Sequence, residues 1–270
     1  MIKYRNALVT YLDILGFSAE IEKSRKDPQR VARIATILRD FKSMAKLPEE
    51  YRQDQTNKEE FRFFSFSDHI VRLRVVDDSS VKPSTAKEIG FLAFLQLELL
   101  TREQVPLRGS VCCGSIYFDD DLLFGPALVQ AHAIESSFAV FPRVVVDRDL
   151  AREHVVDRPG SEYLRRGEDG VYFVDYLFGF MTDAFIFHVP EDRVERIKEP
   201  RDFILHAIEK IHADRKDSGQ LSSRIRQKYL WLALYHNATL LRLRDALDEI
   251  KREKDGAFDS WLIPEDKLGF

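Results

Sequence analysis

A chain of 270 residues that is 44% hydrophobic and 32% charged has the apolar mass for one large domain, or a domain with an appendage, and this excludes global disorder. Its net charge of −4, with both signs mixed along the chain, excludes a dedicated nucleic-acid surface, where clustered Lys and Arg release counterions from phosphates. The only cysteines, Cys112 and Cys113, are adjacent and would project to opposite faces of a strand, which excludes a disulfide scaffold and predicts a reducing compartment.

The opening residues Met1 to Arg5 lead toward a strand without a signal-peptide layout, so a cytoplasmic protein is expected. Residues 7–12 (ALVTYL) are short, apolar and β-prone and predict a buried strand. A helix is signalled from Asp27-Pro28, where Val31, Ile34, Leu38, Phe41 and Ala45 keep a helical period. Residues 61–66 and 69–76 predict two strands joined tightly at Ser67-Asp68. Residues 84–103 predict a helix buried on most sides. Its apolar run over 89–100 is broken by Gln96 and Glu98 and is too short to span a bilayer.

Residues 107–118 predict a strand, with Asp119 to Asp121 as the solvated tip of a hairpin. Gly125-Pro126 opens a helix that runs through Ser137, and residues 143–147 predict another strand. The order β-α-β-β-α-β predicts an α+β fold: one antiparallel sheet with helices on one face, the ferredoxin-like arrangement. Residues 148–170 read as a polar excursion, and 171–175 and 184–189 as edge strands. Beyond Pro200 the chain turns helical, with one stripe through Phe203, Ile204, Ala207, Ile208 and Ile211. A second stripe starts at Ile225 and Tyr229 and continues through Leu232, His236 and Leu240 to Ile250. These helices form a C-terminal extension, residues 191–270, that covers either the sheet of residues 1–190 or a second protomer.

The chemistry concentrates in two stretches, Tyr11-Leu12-Asp13-Ile14-Leu15-Gly16-Phe17-Ser18 and Phe63-Phe64-Ser65-Phe66-Ser67-Asp68. Each puts one acid at the end of an apolar run. Asp13 alone would be a cap or turn residue. Two acids on neighbouring strands beside a glycine turn can instead hold Mg²⁺ or Mn²⁺ against a triphosphate, since both ions favour oxygen ligands. Backbone amides at Gly16, Phe17 and Ser18 would face the phosphates from the positive end of the next helix. Phe64 reads as core or as a wall for a base, and Ser65 as a turn or phosphate-side hydroxyl. His69 follows Asp68 and, on strand alternation, faces away from it. His132 and His236 read as satisfied core histidines, and Arg108 as half of a buried ion pair. No His/Cys spacing suggests zinc.

The segment Asp13-Ile14-Leu15-Gly16-Phe17-Ser18 resembles the first metal motif of the class III nucleotidyl cyclases, and Ser67-Asp68 falls where that family has its second metal aspartate. Arg108-Gly109-Ser110-Val111-Cys112-Cys113-Gly114 is similar to the family's arginine-bearing strand, and Phe124-Gly125-Pro126 through Glu135-Ser136 to its glycine-then-helix segment. The resemblance covers roughly residues 5 to 150 and makes residues 1–190 a cyclase-like domain. It implies that Asp13, Asp68 and the Ile14 carbonyl hold two Mn²⁺ or Mg²⁺ ions for in-line attack of the ribose 3′-OH on the α-phosphate. It also implies a homodimer, with base contacts from the second protomer.

The departures narrow the expectation. The family's purine-reading Lys is Phe64 here, and its base-reading Asp or Thr is Leu122 or Leu123. An apolar pair leaves a purine's polar edge unpaired. The helix Asn and Arg become Val129 and Ala133, so Arg108 and Arg143 stand as candidate cations for transition-state charge. In these respects, and in the stretches GPALVQAHAIES and FPRVVVD, the chain resembles the pyrimidine cyclases of the Pycsar anti-phage defence systems. Those enzymes make cyclic UMP from UTP or cyclic CMP from CTP, and a separate effector protein reads the product. The reading takes UTP, with CTP as the alternative. A degenerate cyclase fold serving as a nucleotide-sensing or interaction module is the rival of another class, and an adenylate cyclase with an unusual base pocket is the enzymatic rival.

Overall fold

The computed structural model describes residues 3–46, 60–157, 161–178, 198–213, 220–248 and 260–268. Its centre is strand β1 (Arg5–Ile14), two residues longer at each end than the apolar run predicts. Because β1 is covered on both faces, its residues do not alternate in hydrophobicity. Leu8 and Leu12 enter one apolar cluster, and Ala7 and Val9 enter another on the opposite side.

Helix α1 (Phe17–Ser24) follows the Gly16 turn, and α2 (Pro28–Ala45) is capped by Asp27, whose carboxylate accepts from the amides of Gln29 and Arg30. Pro28 at the first helical position loses no intrahelical bond. Strands β2 (Phe61–Phe66) and β3 (His69–Val75) form a hairpin closed by Ser67 and Asp68. Helix α3 (Val81–Glu98) ends in a π-turn over Leu99–Glu103. Strand β4 (Leu107–Phe118) then pairs antiparallel along all of β1, with Asp13 directly opposite Arg108. Its hairpin to β5 (Leu123–Phe124) has Asp119 accepting from the amides of Asp121 and Leu122 at the exposed tip.

Helix α4 (Pro126–Phe138) and strand β6 (Val144–Val146) add a further helix and strand to the βαββαβ core that ends at β4, and β6 lies parallel to β4. Residues 148–170, predicted as an excursion, contain α5 (Arg148–His154) and β7 (Leu164–Arg166). Strand β8 (Tyr172–Val174) pairs with both β6 and β7, so it is interior rather than at the edge. The order along the sheet is β2-β3-β1-β4-β6-β8-β7, and its first four strands have the ferredoxin-like arrangement. The strand expected at 184–189, the residue Ile250 and the 190/191 boundary lie outside the described residues.

Helices occupy both faces of this sheet, which corrects the one-face expectation. The larger cluster holds residues of α2 and α3 together with the C-terminal helices α6 (Lys198–Ala213) and α7 (Gln220–Asp248) and the short α8 (Glu265–Leu268). Trp231 of α7 stacks flat on Phe141 at 5.3 Å, and the Tyr235 hydroxyl donates to Asp175 at 2.7 Å. Arg242 pairs with the same Asp175. Among the described residues, α4 is the helix whose residues enter the cluster on the other face. Cys112 and Ser110 of β4 donate to the carbonyls of Ala127 and Ala131, and Arg108 meets Glu135. Every second strand residue advances roughly 6.6 Å and every fourth helical residue roughly 6 Å, so the two ladders stay in step. Ala127 and Gly114 let the helix approach this closely: a Cβ built on Gly114 would sit 3.3 Å from that of Ala127.

Candidate metal centre

Asp13 sits one residue before the end of β1, on the face that α4 covers, where strand alternation also places Tyr11 and Val9. Asp68 is delivered by the β2–β3 turn. Phe66 and His69 pair across it, and Ser67 takes a left-handed φ of 54°, a conformation disfavoured outside glycine. The two acids converge. One ligand atom each from Asp13, Asp68 and His69 lie within 4.8 Å of one another.

Their surroundings are drier than the sequence suggests. Asp13 and Asp68 keep only 6% and 11% of their side-chain surface exposed, so the pair is nearly buried. His69 beside them is half-exposed, and Gly16 and Ser18, just after β1, are exposed. Burial raises the Asp13 carboxyl, Arg108 pulls it back, and the adjoining Asp68 raises it again, leaving it at about 6. Burial and the charges of Glu135, Asp13 and Asp68 push the Tyr11 phenol up to about 12.

Arg108 is the cation that the cluster already holds. Its guanidinium reaches Asp13 Oδ2 through NH2 at 2.5 Å and Nε at 2.6 Å, while Nε lies 3.0 Å from Glu135 Oε1. The expected ion pair at Arg108 is thus present, with Asp13 itself as partner. His69 corrects the sequence reading: its Nε2 stands 3.7 Å from Asp13 and its Nδ1 3.4 Å from Asp68. Its ring tilts against Tyr11, and Tyr11 meets the edge of His132, which is exposed rather than core. His236, by contrast, is fully buried beside the Trp261 carbonyl as expected.

No family model matches this chain, and no curated protein does. Among solved structures it is similar to the catalytic core of a rhodopsin-guanylyl cyclase with converted specificity in complex with ATPαS, at 13% identity and a TM-score of 0.40, over 64% of this chain and 96% of that one. It is also similar to an adenylate/guanylate cyclase/hydrolase from Silicibacter pomeroyi, at 16% identity and a TM-score of 0.33, over 64% of this chain and 95% of that one. Likeness at this level assigns no family and no activity.

The remaining predicted residues divide into those near the acids and those apart from them. Ile14 closes β1 with its side chain in the core. Gly16, at φ +84°, caps α1, and a Cβ built on it would meet no atom within 4 Å. The first-turn amides at Phe17 and Ser18 have no partner within that helix. Phe64 packs into the α4-side cluster that Tyr11 joins, and Ser65 pairs opposite Ile70 on the same hairpin as Asp68.

Leu122 lies at the other end of β4 from Arg108, roughly 30 Å along the strand, so it meets the acids of its own chain nowhere. Arg143 is 3% exposed, donates to Phe138 O at 3.0 Å and Asp169 at 2.5 Å, and is ringed by Phe141, Phe173 and Trp231. Its side chain is committed to structure, which corrects its candidacy as a reacting cation.

Sequence reasoning missed Glu135 and Lys228. Glu135 falls on the buried stripe of α4 with Ala127 and Ala131, and an acid on such a stripe requires a charged partner. Lys228 comes from α7: burial and the Arg108 charge lower its ammonium, while Asp13 and Glu135 raise it, so it lies in the field of the cluster. Trp231, one turn further along α7, stacks on Phe141, and the Arg143 carbonyl two residues on accepts from Gly109 beside Arg108.

The donor set fits a small divalent cation. Two carboxylates and an imidazole at this spacing suit Mn²⁺, and the carboxylates alone suit Mg²⁺. Among the described residues no helix is long and apolar enough to cross a membrane.

Proposed function

We propose that this protein is a nucleotidyl cyclase that converts a pyrimidine nucleoside triphosphate, UTP or alternatively CTP, to its cyclic monophosphate and pyrophosphate. The observation that carries the reading is the meeting of Asp13 and Asp68, distant in the chain, beside the open Gly16 turn. A divalent cation bound there would acidify the ribose 3′-OH and neutralise the departing pyrophosphate.

The chain's own residues supply the rest. The α1 amides at Phe17 and Ser18 face the β- and γ-phosphates. Arg108 and Lys228 meet the charge that spreads over the α-phosphate during transfer. Phe64 stands where a cation or hydrogen-bonding group would read a purine, and offers a base an aromatic wall instead. Residues 1–190 are taken as the nucleotide-binding domain, with the C-terminal helices as its extension.

A homodimer would supply the remaining base contacts. Support comes from Phe66 (83% exposed) on the Asp68 hairpin and Val129 (70%) on the outer side of α4, apolar groups that a second copy would cover. Anti-phage signalling through a separate effector protein is the biological role this reading assigns. The sensing-module alternative is favoured by one observation, the Arg108–Asp13 pair, which gives Asp13 a cation partner without any metal.

Incubating the protein with each of the four ribonucleoside triphosphates and Mn²⁺, with products resolved by mass spectrometry, separates these readings. Cyclic UMP or cyclic CMP is expected as the main product. Cyclic AMP as the main product would overturn the pyrimidine assignment. Nucleotide binding with no cyclic product would favour the sensing module.

A further inference from the structure

Arg108 Nε carries one proton and stands between two carboxylate oxygens, Asp13 Oδ2 at 2.6 Å and Glu135 Oε1 at 3.0 Å. The proton is aimed at Asp13. Glu135 Oε1 is therefore buried without a hydrogen bond, although Glu135 Oε2 accepts from the Ser136 hydroxyl at 3.2 Å. A buried carboxylate oxygen with no donor is costly, and here a donor lies within reach but points elsewhere.

We infer that Glu135 is a positioning residue that receives Arg108 when a divalent cation takes Asp13, so that cation entry and arginine release form one exchange. This deepens the cation-site reading above and rests on it.

The exchange follows from charge and geometry. Two guanidinium nitrogens occupy Asp13 Oδ2 and leave only Oδ1, on the His69 side, to a cation, so a cation that takes both oxygens must displace Arg108, and Arg108 cannot leave a site flanked by acids for a dry surface without a new partner. Glu135 is that partner, already at ion-pair distance and held by the helix ladder that sets Ala127 and Ala131 against β4. A small rotation of the guanidinium transfers the Nε–H from one acceptor to the other. Arg108 then remains at the rim, 28% exposed and no longer neutralised by Asp13, where a triphosphate would meet it.

The test is a Mn²⁺ titration of the full chain, followed by the free-ion EPR signal, across a double-variant cycle. Glu135→Gln should weaken Mn²⁺ binding roughly tenfold, because Arg108 then stays on Asp13. Arg108→Gln should tighten binding by a similar factor, and the double variant should bind like Arg108→Gln alone. Lys228 is common to all four proteins, so its field cancels in the cycle. If Glu135→Gln weakens binding equally with and without Arg108, Glu135 acts only through its own charge and the exchange is overturned. If Asp13→Ala loses Mn²⁺ while Glu135→Gln matches the unaltered chain, the exchange alone falls. If Asp13→Ala binds as tightly as the unaltered chain, the cation site falls with it. In the unaltered chain, the Arg108 Nε–H resonance should shift on addition of Mg²⁺, and an unmoved resonance at saturation would also overturn the inference.

Discussion

Strands β1 and β3 carry two buried acid–arginine clusters on opposite faces, and they differ in stoichiometry. On the face covered by α3, Glu88 accepts from Arg72 at 2.8 and 3.0 Å, from Arg74 at 3.4 Å and from Thr10 at 3.0 Å. Burial pushes this carboxyl up, but the two arginines outweigh it and hold it down at about 2. On the face covered by α4, Asp13 and Glu135 share Arg108, Asp68 adjoins Asp13, and Asp13 rises to about 6. In the first cluster two arginines face one acid, so it has no carboxylate left to offer a cation. The second has a surplus of acid in a dry place, which a divalent cation would satisfy. Buried ion pairs on one sheet can thus be sorted into structure and function by counting partners.

The largest expected effect breaks this contrast on its functional side. Asp13→Ala and Asp68→Ala should each reduce cyclic product formation by about a thousandfold, measured by mass spectrometry, with the circular dichroism spectrum retained. The mirror experiment on the structural side is Glu88→Ala. Leaving Arg72 buried without its partner should cost about 3–5 kcal/mol in urea unfolding.

Acid titration sharpens the contrast further. His236, fully buried, is lowered by that burial from 6.5 to about 4. Its contribution is present above pH 6.5 and lost as pH falls through 4, about 3 kcal/mol in all. Asp13 runs the other way: the metal-free fold binds its proton more tightly than the unfolded chain does, so it gains stability as pH falls from about 6 to 3.8. Thermal melts of metal-free His236→Gln should therefore lose less stability between pH 6 and 4 than those of the same chain with Asp13→Asn added, and identical profiles would contradict the raised Asp13 carboxyl. Glu88 withdraws its stabilisation only below pH 4.5, as pH approaches 2. The smallest effect is expected at Lys228→Ala, about tenfold in kcat with Mn²⁺ affinity nearly unchanged, because this lysine touches the cluster through its field.

The parts legible in the sequence were those whose cause is local. Asp27-Pro28 announced α2, and the apolar runs announced β1 to β4, because caps and strand composition act within a few residues. Asp13 and Asp68 stood out since each ends such a run. Strand alternation from Asp68 turns His69 away from it, but Asp68 belongs to the turn, and Phe66 is the residue that pairs with His69. Glu135 left a readable trace, an acid four residues after Ala131 on a buried stripe, and its partner Arg108 shares a strand face with Ser110 and Cys112. Lys228 left none, because its approach depends on how α7 crosses the sheet. The three-residue strand Leu164–Arg166 is too short to show a period.

The most direct measurement is an anomalous difference map at the manganese edge from crystals of the full chain grown with Mn²⁺. The account predicts a peak between the carboxylates of Asp13 and Asp68, with the Arg108 guanidinium turned away from Asp13. A map with no density there at saturating Mn²⁺, and Arg108 still bonded to Asp13, would contradict it.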